Sequence, residues 1–328
     1  MIIVRVPFRV SLFGGGTDFH HFYSKFTSTI VSFSIDKYCY ISLRQLMPYF
    51  NNKYRISWSK IEECEAIDSI SHPSIRACLK YLNISDGLEI STVGDLPARS
   101  GLGSSSSFTA ALISALHFYN NDFKDDYSVI SETIHVEQNI LKENVGIQDQ
   151  IQVCCGGFNV INIRADSSYS IVSLNQTSDL VRKINESLIL VYSGITRFSS
   201  NVHQATTQNI SIAKLDESLK NINNIANSFA SKLVNHEADF SFFRNLLIES
   251  WNAKSSTFPP SPTTDQIFSI YNHAISSGAL CGKLLGAGGG GFFAFFVPPE
   301  DQNAFIEKMQ PWICVPVSIE YDGITRVL

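Results

Sequence analysis

The stretch PARSGLGSSSSFTAAL, from Pro97 to Leu112, sets two glycines and four serines between a strand-like segment (Leu88 to Val93) and a helical pattern. That layout suits an anion. Gly101 and Gly103 let the backbone approach a phosphate closely, the first-turn N–H groups lack intrahelical partners, and the helix dipole adds partial positive charge. Ser104, Ser105, Ser106 and Ser107 can cap the helix, donate to phosphate or ligate a cation. An ordinary Gly-Ser loop that only caps a helix is the competing reading.

Two more glycine loops join it. Gly14, Gly15 and Gly16 follow an apolar segment directly and lead into Thr17 and Asp18, a hydroxyl and a carboxylate for polar contacts. Near the other end, Gly286, Gly288, Gly289, Gly290 and Gly291 feed an aromatic strand. Each glycine loses much backbone entropy on folding, so such a cluster points to close approach to another loop or a ligand. Two carboxylates stand out between these loops. Glu137 falls on the apolar stripe that Ile130, Ile134 and Leu141 mark on one helix, where it needs a partner or a cation unless it reaches solvent at the stripe's edge. Asp149 sits between two amides in VGIQDQIQ, where a helix cap or turn residue is an alternative to chemistry.

The elements that must hold these residues read as follows. IIVRVPFRVSLF alternates like a strand, with Pro7 predicting an edge or a bend. Ser28 to Leu46, Tyr54 to Ser59 and Leu88 to Val93 are rich in β-branched and aromatic residues and predict strands of an antiparallel or mixed sheet. A helix follows Pro73, and a second runs from Asp125 to Asn144 behind an Asp cap, Asp125 or Asp126. Gly156 and Gly157 open a strand, and the polar segment Arg164 to Asp179 predicts turns and a domain boundary near its end. The second half predicts a strand from Ser187 to Arg197, helices between about Ser200 and Lys254 and from Thr264 to Ser277, then the glycine-fed strand. A helix from Glu300 to Met309 and a strand from Val315 to Tyr321 close the chain.

The 328 residues are 44% hydrophobic with net charge −5, enough for two cores and against nonspecific nucleic-acid binding. Arg5, Pro7 and Arg9 interrupt any signal-peptide core and no 18-residue apolar run occurs, which predicts a cytoplasmic protein with no membrane partner. Seven scattered cysteines predict buried thiols, with the vicinal Cys154 and Cys155 a redox alternative. His20 and His21 beside the first glycine loop predict either ligand contact or plain exposure.

The common nucleotide motifs are absent. Gly278 and the Gly282-Lys283 pair have the wrong spacing for a P-loop, no GxGxxG follows a strand in a βαβ unit, and protein-kinase H-R-D and D-F-G pieces are missing. PFRVSLFGGGTD (Pro7 to Asp18), PARSGLGSSSSFTAAL and KLLGAGGGGFF (Lys283 to Phe293) together resemble, in order, the three signature regions of the galactokinase, homoserine kinase, mevalonate kinase and phosphomevalonate kinase (GHMP) superfamily. The resemblance spans essentially the whole chain. IDKY (Ile35 to Tyr38), GIQDQ (Gly146 to Gln150), SGITR (Ser193 to Arg197) and ESWNAK (Glu249 to Lys254) look like its sugar-1-kinase branch typified by heptose 7-phosphate kinases. Ile147 and Ile151 depart from that branch, which usually has a basic and an aromatic residue there.

The resemblance implies a two-domain α+β fold, with an N-terminal ribosomal-protein-S5-domain-2-like domain over residues 1–180 and a C-terminal ferredoxin-like domain over 181–328. ATP and a sugar or sugar phosphate would meet between them. It implies that Pro97 and Ser100, Gly101, Leu102, Gly103 and Ser104 to Ser107 wrap the ATP phosphates, and that Ser105 and Glu137 hold Mg²⁺. Asp149 would accept or orient the proton of the attacking anomeric hydroxyl, with Arg9 its cationic neighbour. Gly14, Gly15, Gly16, Thr17 and Asp18 would bind sugar hydroxyls, Gly288, Gly289 and Gly290 would close over the reacting groups, and Arg197, with Lys254, would meet a distal phosphate. Oligomeric state stays open.

Overall fold

The computed structural model describes residues 1–195, 212–235, 237–256, 258–286 and 288–328. Its frame is β1 (Ile2–Phe13), which runs antiparallel to β2 (Ser28–Gln45). Pro7 does not end the strand. The chain continues through it with a register shift between Pro7 and Phe8. There Pro7 lies opposite Tyr38 and Phe8 opposite Ile35, so β2 carries two extra residues at the irregularity. Val4 and Val6 pack in one core, whereas Phe8, Val10 and Leu12 pack in a second. Arg9 and Ser11, lying between the latter, face Asp149 and Gln148.

The first sheet has nine strands. In chain order β1 and β2 are followed by β3 (Tyr54–Ser57), β4 (Ile61–Cys64), β5 (Leu88–Gly94), β6 (Phe158–Ile163) and β7 (Tyr169–Ser173). The path β1-β2-β5-β3-β4 is antiparallel except between β3 and β5, and β6 pairs with β2 and β7. β7 lies in the segment read from sequence as turns. Its five residues are half-buried to exposed, with no buried face to mark an alternation, and polar turn residues flank them.

Helices cover one face of this sheet: α1 (His20–Tyr23), α2 (Pro73–Tyr81), α3 (Ser104–Tyr119), α4 (Asp126–Ile134) and α5 (Gln148–Cys155). α3 is apolar nearly all round because it is buried against β1 and β2. Asp125 caps α4, its carboxylate accepting from the Ser128 N–H at 2.8 Å. The helix predicted to run on to Asn144 instead widens into a π-helical stretch, His135–Ile140. Wider turns of this kind rotate the side chains that follow. The stripe expected through Ile134 and Leu141 therefore shifts, and Val136 and Glu137 become the buried pair while Ile134 is only half-buried.

The second sheet holds β8 (Leu188–Tyr192), β9 (Cys281–Leu284), β10 (Phe292–Phe296) and β11 (Ile313–Pro316), antiparallel in the order β11-β8-β10-β9. Around it lie α6 (Asp179–Ser187), α7 (Ile212–Val234), α8 (Phe240–Ser255), α9 (Pro262–Ser277) and α10 (Gln302–Lys308). This is the ferredoxin-like pattern of strands and crossover helices. The strand predicted over Val315 to Tyr321 is two strands. β11 ends at Pro316, and β12 (Ile319–Glu320) and β13 (Thr325–Arg326) return to the first sheet on β2 and β1.

The two sheets share a core. Phe8, Val10 and Phe33 from the first sheet and Leu190, Phe292 and Phe296 from the second pack with Phe229 of α7 and Phe243 of α8. Ring centroids of Phe13 and Phe229, and of Phe243 and Phe296, are 4.9 Å apart. Each such buried side chain contributes roughly 1.5–3 kcal/mol, so this seam fixes the loops of one sheet against those of the other.

Candidate active site

Arg9 on β1 and Asp149 in the first turn of α5 form the centre. The Arg9 Nε and Nη2 each donate to one Asp149 carboxylate oxygen at 2.7 Å, and Nη1 donates to the Gly101 carbonyl at 2.6 Å. Arg9 is buried, while the Asp149 side chain keeps 28% of its surface. The carboxylate is thus fixed from behind and open in front. Gln148 braces it further. Its amide nitrogen donates to Asp149 Oδ1 at 3.1 Å while its oxygen accepts from the Ser11 hydroxyl at 2.9 Å. Asp149 is neither a cap nor a simple turn residue.

The Gly14 to Asp18 loop is fastened to the same helix. Asp18 accepts from the Gly16 N–H at 3.0 Å and from the Gln148 N–H at 3.2 Å, so it caps α5 from a distant part of the chain. A side chain at Gly146 would occupy the same space, since a Cβ there would stand 1.8 Å from an Asp18 carboxylate oxygen. Burial, then the nearby Asp149 charge, pushes Asp18 up to about 6. Thr17 departs from its expected contact with a sugar: it is fully buried, and its hydroxyl lies 2.7 Å from the Gly14 carbonyl and 2.5 Å from the Ser28 hydroxyl. A hydroxyl so engaged holds the loop's shape. His20 and His21 are exposed on α1.

The four serines behind Gly103 do four different things. Ser104 accepts from the Arg99 N–H at 3.1 Å and closes the loop, and Ser105 is exposed. Ser106 donates to Glu137 Oε2 at 3.0 Å, and Ser107 donates to the Pro7 carbonyl at 2.9 Å. The serine beside Glu137 is therefore Ser106, not the expected Ser105. Successive helical residues project about 100° apart, so only one of them can face the carboxylate. Leu102 and Ser107 point into the protein, which leaves their backbone for any ligand, and Pro97 is exposed at the loop's start.

Glu137 itself is fully buried. Gln150 donates to its Oε2 at 2.5 Å, but its Oε1 has no partner, nor does Gln150 Oε1 or the Ser100 hydroxyl. Burial pushes Glu137 up to about 7 against the lowering effect of the Gln150 hydrogen bond. Buried polar atoms without partners cost free energy, and three of them gather beside the phosphate-type loop, which makes the spot a candidate ligand position.

The second glycine loop closes on the first. An added Cβ at Gly101 would lie 2.8 Å from the Leu285 carbonyl, and one at Gly286 would lie 2.6 Å from the Gly101 Cα, so the two loops touch backbone to backbone. The Phe292 N–H donates to the Ser100 carbonyl at 3.0 Å. Gly288 to Gly290 run beside Phe258 and Ile195. Lys254, expected to meet a distal phosphate, reaches this loop, donating to the Leu284 and Gly286 carbonyls at 3.2 and 2.5 Å. Lys283 donates to the Leu12 carbonyl at 2.5 Å, and burial, then Lys254 and Arg9, holds it well below the usual lysine range. Arg197 lies outside the described residues.

Residues 72–157 match the family described as GHMP kinases N terminal domain. The chain carries a GHMP kinase N-terminal domain. Within the matched residues of this GHMP kinase domain fall the serine loop, Glu137 and Asp149. Arg9, the Gly14 to Asp18 loop and the Gly286 to Gly291 loop lie outside them and are tied to them by the contacts above. Over 318 residues, 94% of this chain and 93% of the relative, the sequence is 25% identical to D-glycero-alpha-D-manno-heptose 7-phosphate kinase of Campylobacter jejuni. It is 29% identical over 219 residues to a bifunctional fucokinase/GDP-fucose pyrophosphorylase of Arabidopsis thaliana, a match covering 63% of this chain and 20% of that protein. The crystal structure of a D-glycero-D-manno-heptose 1-phosphate kinase from Bacteroides thetaiotaomicron covers 100% of this chain with 99% of its own, at TM-score 0.77 and 19% identity. The two-domain α+β fold of the GHMP kinases is thus shared along the full length.

Sequence reasoning missed Ser11, Gln148 and Gln150 as parts of the site. The signal was present in part: Ser11 is two residues from Arg9 on an alternating strand, and Gln148 and Gln150 flank Asp149. The thiols behave as expected from packing, since burial pushes Cys155 up to about 12 and holds Cys154 well above the usual thiol range. No described helix is long and apolar enough to cross a membrane.

Proposed function

We propose that this chain is an ATP-dependent sugar 1-kinase, which transfers the γ-phosphoryl group of ATP to the anomeric hydroxyl of a sugar phosphate, D-glycero-D-manno-heptose 7-phosphate. The observation that carries the reading is the doubly hydrogen-bonded Arg9–Asp149 pair, open on one side and set directly against a glycine-serine loop at a helix N-terminus. Similarity to the Campylobacter jejuni enzyme supports the choice of sugar.

The reaction follows from the residues. The serine-loop N–H groups and the positive end of α3 hold the phosphates of ATP. The sugar's anomeric oxygen attacks the γ-phosphorus as the bond to ADP breaks, and its proton passes to the Asp149 carboxylate, which Arg9 and Gln148 keep aimed. Arg9, the cation of the pair, would also offset negative charge gathering on the transferring group. The backbone of Gly14 to Gly16, stapled to α5 by Asp18, supports the sugar.

The donor set around Glu137 fits Mg²⁺. Hard oxygen ligands suit that ion, and Glu137 Oε1 and Gln150 Oε1 are unpartnered beside the Ser106 hydroxyl. Glu137 and Ser106 would hold it, and when bound it would neutralise phosphate charge.

The test is ATP consumption over a panel of sugars and sugar 7-phosphates, with the product's phosphorylation site read by phosphorus NMR. A heptose 1,7-bisphosphate is expected. A 1-phosphate formed only from an unphosphorylated sugar such as fucose would keep the kinase and replace the substrate. ATP and sugar binding without turnover would leave a sensor.

A further inference from the structure

Lys254, in the last turn of α8, belongs to neither the serine loop nor the Arg9–Asp149 pair, yet it links them. It donates to the carbonyl of Gly286, the residue whose backbone touches Gly101. Gly101 in turn offers its own carbonyl to Arg9. Two cations therefore hold the two touching loops from opposite sides, Arg9 the phosphate-type loop and Lys254 the closing loop. An uncharged donor could satisfy the same carbonyls without setting a second cation near Arg9.

We propose that Lys254 is a positioning residue that latches the Gly286 to Gly291 loop onto the Ser100 to Gly103 loop, so that the two glycine loops close on the phosphoryl group as one unit. The inference rests on the kinase reading for its catalytic consequence but not for the latch itself. Among the described residues, Arg9 from β1 and Lys283 from β9 lie near enough to Lys254 to interact with it, and Asp149 of α5 is paired with Arg9. Burial, then Arg9, brings Lys254 down to about 8, so the latch is charged below that pH and weakens as pH rises through it.

The experiment compares the full-length wild type with Lys254→Met and Lys254→Arg by hydrogen exchange of residues 98–104 and 284–292, and by kcat and KM against pH. Lys254→Met is expected to exchange faster in both segments and to lose on the order of 10²-fold in kcat, as slight misplacement of reacting groups does. Lys254→Arg keeps its charge, so it is expected to retain more activity at pH 7 and to lose the alkaline limb near pH 8. Unchanged exchange in both segments, with a wild-type alkaline limb in Lys254→Arg, overturns the latch. If Lys254→Met does not fold, Lys254→Arg decides by the same limb. If the wild type turns over no sugar, the kinase reading fails, and the exchange rates still decide the latch.

Discussion

Arg9 donates to both carboxylate oxygens of Asp149 at 2.7 Å while its remaining nitrogen holds the Gly101 carbonyl. One side chain thus sets the aim of the proposed base and the position of the phosphate-type loop. A planar fork is required for that, and an ammonium cannot reproduce it. Arg9→Lys keeps the charge and loses the fork, so kcat is expected to fall by about 10²-fold with ATP affinity little changed. Steady-state kinetics with independently measured ATP binding checks this, and a loss confined to ATP affinity would assign Arg9 to nucleotide binding alone.

Asp18 makes two opposite predictions about pH. Its carboxylate must be ionised to accept from both the Gly16 and Gln148 N–H groups, and burial has raised it to about 6. Activity should therefore decline as pH falls through about 6. Stability runs the other way. A carboxyl raised in the folded state binds its proton more tightly there than when unfolded, so its contribution favours folding at acid pH and is lost as pH rises through about 6. Urea unfolding of wild type and Asp18→Asn between pH 4 and 7 should differ by a term of that sign. Parallel curves would mean Asp18 titrates normally.

Glu137 makes a prediction that needs no turnover. Its unpartnered Oε1 and fully buried position destabilise the ligand-free protein, so Glu137→Gln is expected to melt higher in the absence of ligands by about 1–3 kcal/mol of stability. Mg²⁺ with ATP should raise the melting temperature of the wild type far more than that of the variant. Equal shifts in both would take the cation away from Glu137.

Ser105 and Ser106 separate cleanly. Ser106→Ala removes the hydroxyl 3.0 Å from Glu137 and is expected to weaken Mg²⁺ dependence, whereas Ser105→Ala touches an exposed side chain. Titration of activity with Mg²⁺ in the two variants checks the assignment. A larger effect at Ser105 would restore the residue first expected from sequence.

Much of the site was legible because its backbone demands are extreme: glycines beside strand and helix ends announce close approach, and the seam between Gly101 and Gly286 bears that out. What stayed hidden depends on phase rather than composition. The irregularity after Pro7 hands β1 from one core to the other, the π-helical stretch carries the buried Glu137, and a single helical step separates Ser105 from Ser106. None of these is written in residue type alone. Long-range contacts are the other limit. Nothing near Asp18 in sequence shows that it caps α5, and nothing near Ile319 shows that the chain's end rejoins the first sheet.

The central claim is that Asp149, held by Arg9, takes the proton of the attacking hydroxyl. Asp149→Asn removes the basic carboxylate while keeping size and hydrogen-bonding capacity, so kcat is expected to fall by about 10²–10⁴-fold with ATP binding nearly unchanged. Single-turnover kinetics of that variant with ATP and its sugar is the measurement. A fall of only a few-fold would contradict the account and leave Asp149 as an orienting group beside a transfer that needs no base.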